Sequence, residues 1–383
     1  MKILVVGDSN SIFIKQLIEY VLLDGKRNEI VLIEENTTNT DYEGFYSANG
    51  VHIVPRVNKN NRLVAKIPKI RASVGNYLWC KGIIKQFGTF DLVHIHGLNF
   101  SRGNIARYMR KYTKKLVITV WGDEIFRASE KNLTAYTKYY DLADCITVST
   151  SDMQRKFTSV YGDRYGANLR MNKFGVGVLD YIDAAKETFD RRHICAEFGI
   201  TDPDKLFVFV GHNGRPAQRH LELTKCLKAL PEQYKERITL IYTMTYGVPG
   251  ERYVQDIVTE AKRLNLDFVV LRNYLNEVQT AKLRSICDIM LHAQLTDAFS
   301  ASLCESLYAG AVILNGSWLV YNDLPDCHNR FVEYDRIEEI PEKLSEVLGD
   351  FPAFQDKAMD NKAVIRSICS REVTTQEWKK TIY

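Results

Sequence analysis

The sequence predicts an α/β protein of two Rossmann-like domains, each a doubly wound and mainly parallel sheet, facing one another across a cleft. Short β-branched runs alternate with helix-length amphipathic segments, the pattern of a parallel sheet wound with helices. The pattern runs through once, breaks near residues 181–204, and restarts. Both halves open alike, a strand running into a glycine-containing loop and then a helix: VVGDSNSIF at 5–13 and FVGHNGRPAQRH at 209–220.

In the first half, strands are read at 2–6, 30–34, 91–95, 116–120 and 145–148. An acid- and base-rich helical stretch at 181–198 and the turn Thr201-Asp202-Pro203-Asp204 separate these from strands at 206–210, 238–242, 267–271, 288–291 and 311–314. The domains are therefore placed at 1–180 and 181–370. Residues 338–383 read as two or three helices, and for the last, at about 370–383 and carrying Trp378, two placements are open, packing back on the first domain or packing on its own. A chain of 383 residues exceeds what one hydrophobic core usually organises.

With 45% apolar and 26% charged residues, the chain has the composition of one that folds throughout. No apolar run reaches the roughly 18 residues of a membrane span, and the N-terminal Ile-Leu-Val-Val is cut short by Gly7-Asp8-Ser9-Asn10, so a cytoplasmic protein is expected. Eight cysteines stand singly without any Cys-x-x-Cys, which argues for reduced thiols and against a zinc cluster or a disulfide framework. Residues 1–180 hold 26 Lys and Arg against 17 Asp and Glu, while the remainder holds 25 against 30. The basic half suits phosphates or an anionic membrane surface, with its charge gathered in Arg56–Arg71 and Arg107–Lys115. No nucleic-acid partner is expected.

Ligands of open α/β sheets sit beyond the carboxyl ends of the strands. There the segment 297–310 (DAFSASLCESLYAG) reads as a loop and then a helix N-terminus. Ser300, Ala301, Ser302 and Leu303 place backbone N–H groups where an anion such as a diphosphate would bind. Glu305, in the first turns, can accept both hydroxyls of a ribose, and Asp297 at the loop's start can hold hydroxyls of a sugar. The alternative for this segment is a capped helix and nothing more. In the loop after the strand at 206–210, Gly211 and Gly214 permit a tight turn around Asn213, and Arg215 and Arg219 bring two cations near a helix start at Pro216. Guanidinium groups there would stabilise charge growing on a leaving diphosphate.

These segments resemble the retaining glycosyltransferases of the GT-B fold, in particular the family-4 glycosyltransferases. The resemblance rests on Gly211, Arg215 and Arg219; on Asp297, seven residues and Glu305, with Ala309-Gly310-Ala311-Val312 following; and on LRNYLNEVQTAKLRSICDIMLHAQ at 271–294. DLVHIHG at 91–97, VITVWGDE at 117–124, CITVSTSDM at 145–153 and NKFGVGV at 172–178 extend it over nearly the whole chain. Asp297 stands where the family usually has Glu, and Arg219 where Lys is commoner. The resemblance implies transfer of a hexose from a nucleotide-diphosphate sugar, a UDP-sugar first among them, with retention of configuration and without a metal cofactor. It implies that Glu305 holds the ribose, Asp297 and the 299–303 amides the transferred sugar, Arg215 and Arg219 the diphosphate, and that Tyr274 and Leu275 lie near the base. His96, Asp123 and the loop Gly7, Asp8, Ser9, Asn10, Ser11 would face the acceptor, His96 and Asp123 being the candidates for a general base. A glycan or polyprenyl-diphosphate-linked acceptor, in surface polysaccharide or glycoconjugate synthesis at the inner face of the membrane, suits the basic half and its Tyr77, Trp79, Tyr108 and Tyr112. A non-catalytic sugar-nucleotide-binding subunit and a nucleotide-sugar 2-epimerase are the alternatives.

Two further motifs are set aside. Asp202-Pro203-Asp204 precedes a strand and reads as a turn, not a metal site. His94-Ile95-His96 is read as sending its two imidazoles to opposite sides of the sheet, with one facing a cleft.

Overall fold

The computed structural model describes residues 1–24, 28–34, 40–55, 68–247 and 250–383. Residues 56–67 of the basic stretch Arg56–Arg71 lie outside them. The chain forms two compact units, Met1–Gly175 with Arg371–Tyr383, and Val176–Ser370. The division falls a few residues before the expected 180/181 because Val176, Val178, Leu179 and Ile182 are buried in the second core.

The first unit holds seven strands: β1 (Lys2–Gly7), β2 (Glu29–Glu34), β3 (His52–Pro55), β4 (Phe90–His96), β5 (Thr113–Thr119), β6 (Cys145–Val148) and β7 (Leu169–Met171). Their order is β3-β2-β1-β4-β5-β6-β7, and every pairing is parallel. The second unit holds β8 (Leu206–Val210), β9 (Ile238–Thr243), β10 (Asp267–Leu271), β11 (Ile289–His292), β12 (Val312–Gly316) and β13 (Val332–Tyr334), in the order β10-β9-β8-β11-β12-β13 and again parallel throughout. In each sheet the order reverses beside its first strand. The crevices of the two switch points therefore lie at the ends of β1 and β4, and of β8 and β11.

The near-continuous apolar strands are what a sheet covered on both faces requires. Along β8, Phe207 and Phe209 enter one core and Val208 and Val210 the other; β11 divides likewise, with Met290 on one side and Ile289 and Leu291 on the other. The end of the chain forms four helices, Ile340–Gly349, Phe351–Met359, Asn361–Cys369 and Arg371–Thr381. The last belongs to the first unit: Trp378 is 2% exposed among Ile3, Val5, Leu92 and Val117, and its indole N–H donates to the Lys173 carbonyl at 2.7 Å.

The histidine pair corrects the reading of β4. Side chains two apart on a strand share a face, and the His94 and His96 rings lie 3.9 Å apart, centre to centre, under Phe174. His94 bridges the Tyr383 hydroxyl at 2.5 Å and the Thr119 hydroxyl at 2.6 Å. The cations of 107–115 are partly engaged: Arg110 pairs with Asp144 at 3.0 Å, Lys114 with Asp91 at 2.7 Å, and Lys115 donates to the Ile382 carbonyl at 2.7 Å.

Candidate active site

In the second unit, the two segments singled out in the sequence flank the β8–β11 switch point. Gly211 has φ +66°, and a Cβ there would lie 2.9 Å from His220 Nε2 and 3.0 Å from Gln218 Cβ, so the turn requires glycine. The Asn213 side-chain oxygen accepts from the Arg215 N–H at 2.9 Å and closes the loop. Pro216 starts only a 3-10 turn, Pro216–Gln218, and the helix proper begins at His220. The reversal between them puts Arg219 at φ 62°, an unusual conformation for a side chain of this size. Gln218 ties the two loops together by donating to the Gln294 side-chain oxygen at 2.8 Å.

The structure separates the two arginines. Arg215 is exposed and packs against Gly247 in the loop after β9, whereas Arg219 lies 5.9 Å over the Trp318 ring in the loop after β12. Arg219 is thus on the β11–β12 side, where the helix Ala301–Tyr308 connects those strands.

That helix offers fewer amides than expected. The Ser300 N–H is taken by Asp297 Oδ2 at 3.0 Å, and the Leu303 N–H by the Ser300 carbonyl at 3.1 Å. The Ala301 and Ser302 N–H groups, in the first turn, have no intrahelical acceptor. Phe299, at φ 63°, turns the loop into the helix and sets its ring 5.6 Å from that of Tyr321.

The carboxylates are both drawn inward. The Asp297 side chain is 7% exposed; its Oδ2 also accepts from the Tyr321 hydroxyl at 2.9 Å and lies 3.7 Å from His292 Nε2. Burial alone would raise this carboxyl, but the His292 imidazole and the Ser300 N–H outweigh burial and hold it below the usual range. Glu305 accepts from Arg284 Nε at 3.0 Å, with side chains 7% and 5% exposed. Tyr274 is half exposed in the loop after β10, and Leu275 packs on the core.

Buried polar atoms without a hydrogen-bond partner gather at this end of the sheet: His212 Nδ1, His220 Nε2, His292 Nδ1, Gln294 Nε2, Ser300 Oγ and Arg284 Nη1. Native interiors leave few such groups. Burial pushes His212 down to about 3 and His220 to about 4, so both are neutral near pH 7. Arg284, His292, Gln294, Tyr321 and Trp318 were not singled out from the sequence. His292 was within reach, being the last residue of β11. Arg284 also carried a signal, since it stands three residues after the buried Ala281 where the helical period calls for an apolar side chain.

In the first unit, the Gly7–Ser11 loop and His96 meet at the β1–β4 switch point: a Cβ on Gly7 would lie 3.3 Å from His96 Cβ. Asp8 organises the loop, its side chain accepting from the Asn10 N–H at 3.0 Å and its carbonyl from the Ser11 N–H at 2.9 Å. The Ser9 carbonyl accepts from the Tyr46 hydroxyl at 3.0 Å. His96 is fully buried, neither ring nitrogen has a partner, and burial holds its pKa well below the usual value. Asp123 does not join them; its side chain is 67% exposed and pairs with Arg127 at 2.9 Å. Its neighbour Glu124 is the buried one, accepting from the Leu98 N–H at 2.9 Å and the Trp121 N–H at 3.0 Å.

Among the described residues no helix is long and apolar enough to cross a membrane, and no group of three or more His, Cys, Asp or Glu is placed to hold a metal ion. No family model and no curated protein matches the chain. Solved structures do. The Anabaena protein HepE, determined with UDP and glucose, is similar with a TM-score of 0.75 at 14% identity over 100% of this chain and 99% of that one. Sucrose-phosphate synthase from Thermosynechococcus elongatus matches with a TM-score of 0.72 at 11% identity, over 99% and 98%. A UDP-forming α,α-trehalose-phosphate synthase from Burkholderia xenovorans, determined with glucose-6-phosphate, gives 0.68 at 10% identity over the whole of both chains. With its two parallel sheets, this chain has the GT-B fold of those glycosyltransferases.

Proposed function

We propose that the chain is a glycosyltransferase that moves a hexose from a nucleotide-diphosphate sugar, a UDP-sugar first among them, to an acceptor hydroxyl with retention of configuration. One observation carries the reading: at the β8–β11 switch point, unpartnered buried polar atoms, two helix N–H groups without an intrahelical acceptor and Arg219 collect at the end of one sheet. Fold neighbours determined with UDP or UDP-glucose, or named for forming UDP, support that donor class.

In this account the Ala301 and Ser302 N–H groups and Arg219 receive the diphosphate, and Glu305 accepts from the ribose hydroxyls. Ser300 and the loop from Asp297 meet the transferred sugar. The acceptor oxygen bonds to the anomeric carbon as the bond to the diphosphate breaks, and the leaving phosphate takes the acceptor's proton. Guanidinium and helix N–H groups meet the growing negative charge without calling for a metal. The Gly7–Ser11 loop and the neutral His96 imidazole serve the acceptor. Asp123, on the surface and paired with Arg127, takes no part in that proton transfer.

A glycan or polyprenyl-diphosphate-linked acceptor at the cytoplasmic face of a membrane, in surface polysaccharide or glycoconjugate synthesis, is favoured by one helix face. Val74, Tyr77 and Leu78 are exposed on the helix Pro68–Phe87, followed on the same side by exposed Lys81 and Lys85. Trp79 is buried and takes no part. Sedimentation with phosphatidylglycerol vesicles but not with phosphatidylcholine vesicles is expected; equal binding to both removes this support.

A second reading, a sugar-nucleotide-binding subunit without turnover, is favoured by the closed contacts of Asp297. Incubation of the protein with UDP-hexoses and a panel of lipid-linked and oligosaccharide acceptors separates the two. Acceptor-dependent release of UDP, lost in Arg219→Ala, supports transfer. Donor binding with no release in any mixture supports the second reading, and consumption of donor without acceptor points to an epimerase or hydrolase.

A further inference from the structure

The Arg284–Glu305 pair is an unusual feature for the interior of this unit. Arg284 is 4% exposed, near the end of the helix Glu277–Ser285, and its Nε meets Glu305 Oε2 at 3.0 Å. Ion pairs buried this deeply add little stability over an apolar replacement, because desolvation offsets the attraction. The guanidinium is also incompletely matched: Nη1 has no hydrogen-bond partner. A pair kept for cohesion alone would have its remaining N–H groups satisfied. What it does accomplish is geometric. Glu305 sits one turn into the helix whose Ala301 and Ser302 amides have no intrahelical acceptor, and the Arg284 Nε contact restrains its carboxylate through Oε2.

We propose that Arg284 is a positioning residue that holds the Glu305 carboxylate in one orientation for the two ribose hydroxyls of the nucleotide. The proposal rests on the donor-site reading above. A methionine at 284 fills comparable space and removes the clamp, freeing the carboxylate to rotate. Discrimination between a ribose and its deoxy analogue then falls, while contacts to the phosphates remain.

The test compares affinity for uridine diphosphate with that for 2′,3′-dideoxyuridine diphosphate, by calorimetry, in the unaltered protein, Arg284→Met, Arg284→Lys and Glu305→Gln, with a melting curve for each. The unaltered protein is expected to prefer the ribose form by about tenfold or more. That ratio drops toward one in Arg284→Met and Glu305→Gln and is intermediate in Arg284→Lys, which keeps the charge but not the guanidinium geometry. A merely structural arginine would change the melting temperature or both affinities together, and leave the ratio intact. An unchanged ratio in either folded Arg284 variant overturns the proposal. If the unaltered protein binds no nucleoside diphosphate, the donor-site reading fails and this proposal falls with it; if it binds both analogues equally, only the role given to Glu305 and Arg284 fails.

Discussion

Lowering the pH from 7.5 to 5.0 should destabilise both units through four histidines, two in each. Burial depresses the pKa of His94 to about 3, of His212 to about 3, of His220 to about 4, and of His96 well below its usual value. The folded-state values lie below the unfolded value of about 6.5. Each imidazole's contribution is therefore fully present above pH 6.5 and is lost as pH falls toward the folded pKa, because the unfolded chain takes up protons first. At up to about 1.4 kcal/mol per pH unit, each histidine removes about 2 kcal/mol by pH 5.0, or about 4 kcal/mol per unit. For units of this size that lowers the melting temperature by about 10 °C. Two carboxyls raised by burial, Glu124 and Asp288, act in the opposite sense and blunt the effect. Scanning calorimetry at half-unit pH steps measures the slope, and His220→Gln should flatten it by about 1 kcal/mol per unit between pH 6 and 5. A melting temperature constant from 7.5 to 5.0, or a slope untouched by that substitution, refutes the account of neutral buried imidazoles.

Other substitutions read the site and its supports. Glu305→Ala leaves the buried Arg284 unpaired and should cost about 3–5 kcal/mol, seen as a melting point about 10 °C lower. Gly211→Ala forces a side chain into φ +66° against His220 and Gln218, so a loss of about 1–3 kcal/mol with weaker nucleotide binding is expected from denaturant titration and calorimetry. Trp378→Ala empties the seat of the last helix in the first unit, at a cost of about 3–5 kcal/mol, and limited proteolysis should then cut within 371–383.

The strands of both sheets were legible wherever they run to four or more apolar-rich residues. The runs read at 145–148, 206–210 and 267–271 coincide with β6, β8 and β10, and the other predicted runs differ from observed strands by a few residues at their ends. The strands passed over, β3, β7 and β13, are edge strands of only three or four residues, too short to show an apolar run, whereas β10, also at an edge, is five residues long and keeps one. For the candidate site, the glycines of a strand-end loop pointed to 211–219, and a loop between a strand and a helix start pointed to 297–305. The inward turn of Asp297 was not legible. It depends on Tyr321 and His292, which tertiary packing brings to the carboxylate. The histidines of β4 were misread for want of the strand's period, which places alternate residues together.

Calorimetric titration of the purified protein with uridine, guanosine, adenosine and thymidine diphosphates, repeated on Arg219→Ala and Glu305→Gln, tests the central claim most directly. The account predicts that one of the four binds, that Arg219→Ala removes a contact to its phosphates, and that Glu305→Gln weakens it through the ribose. Binding of none, or binding unaffected by both substitutions in folded protein, would contradict a donor site at the β8–β11 switch point.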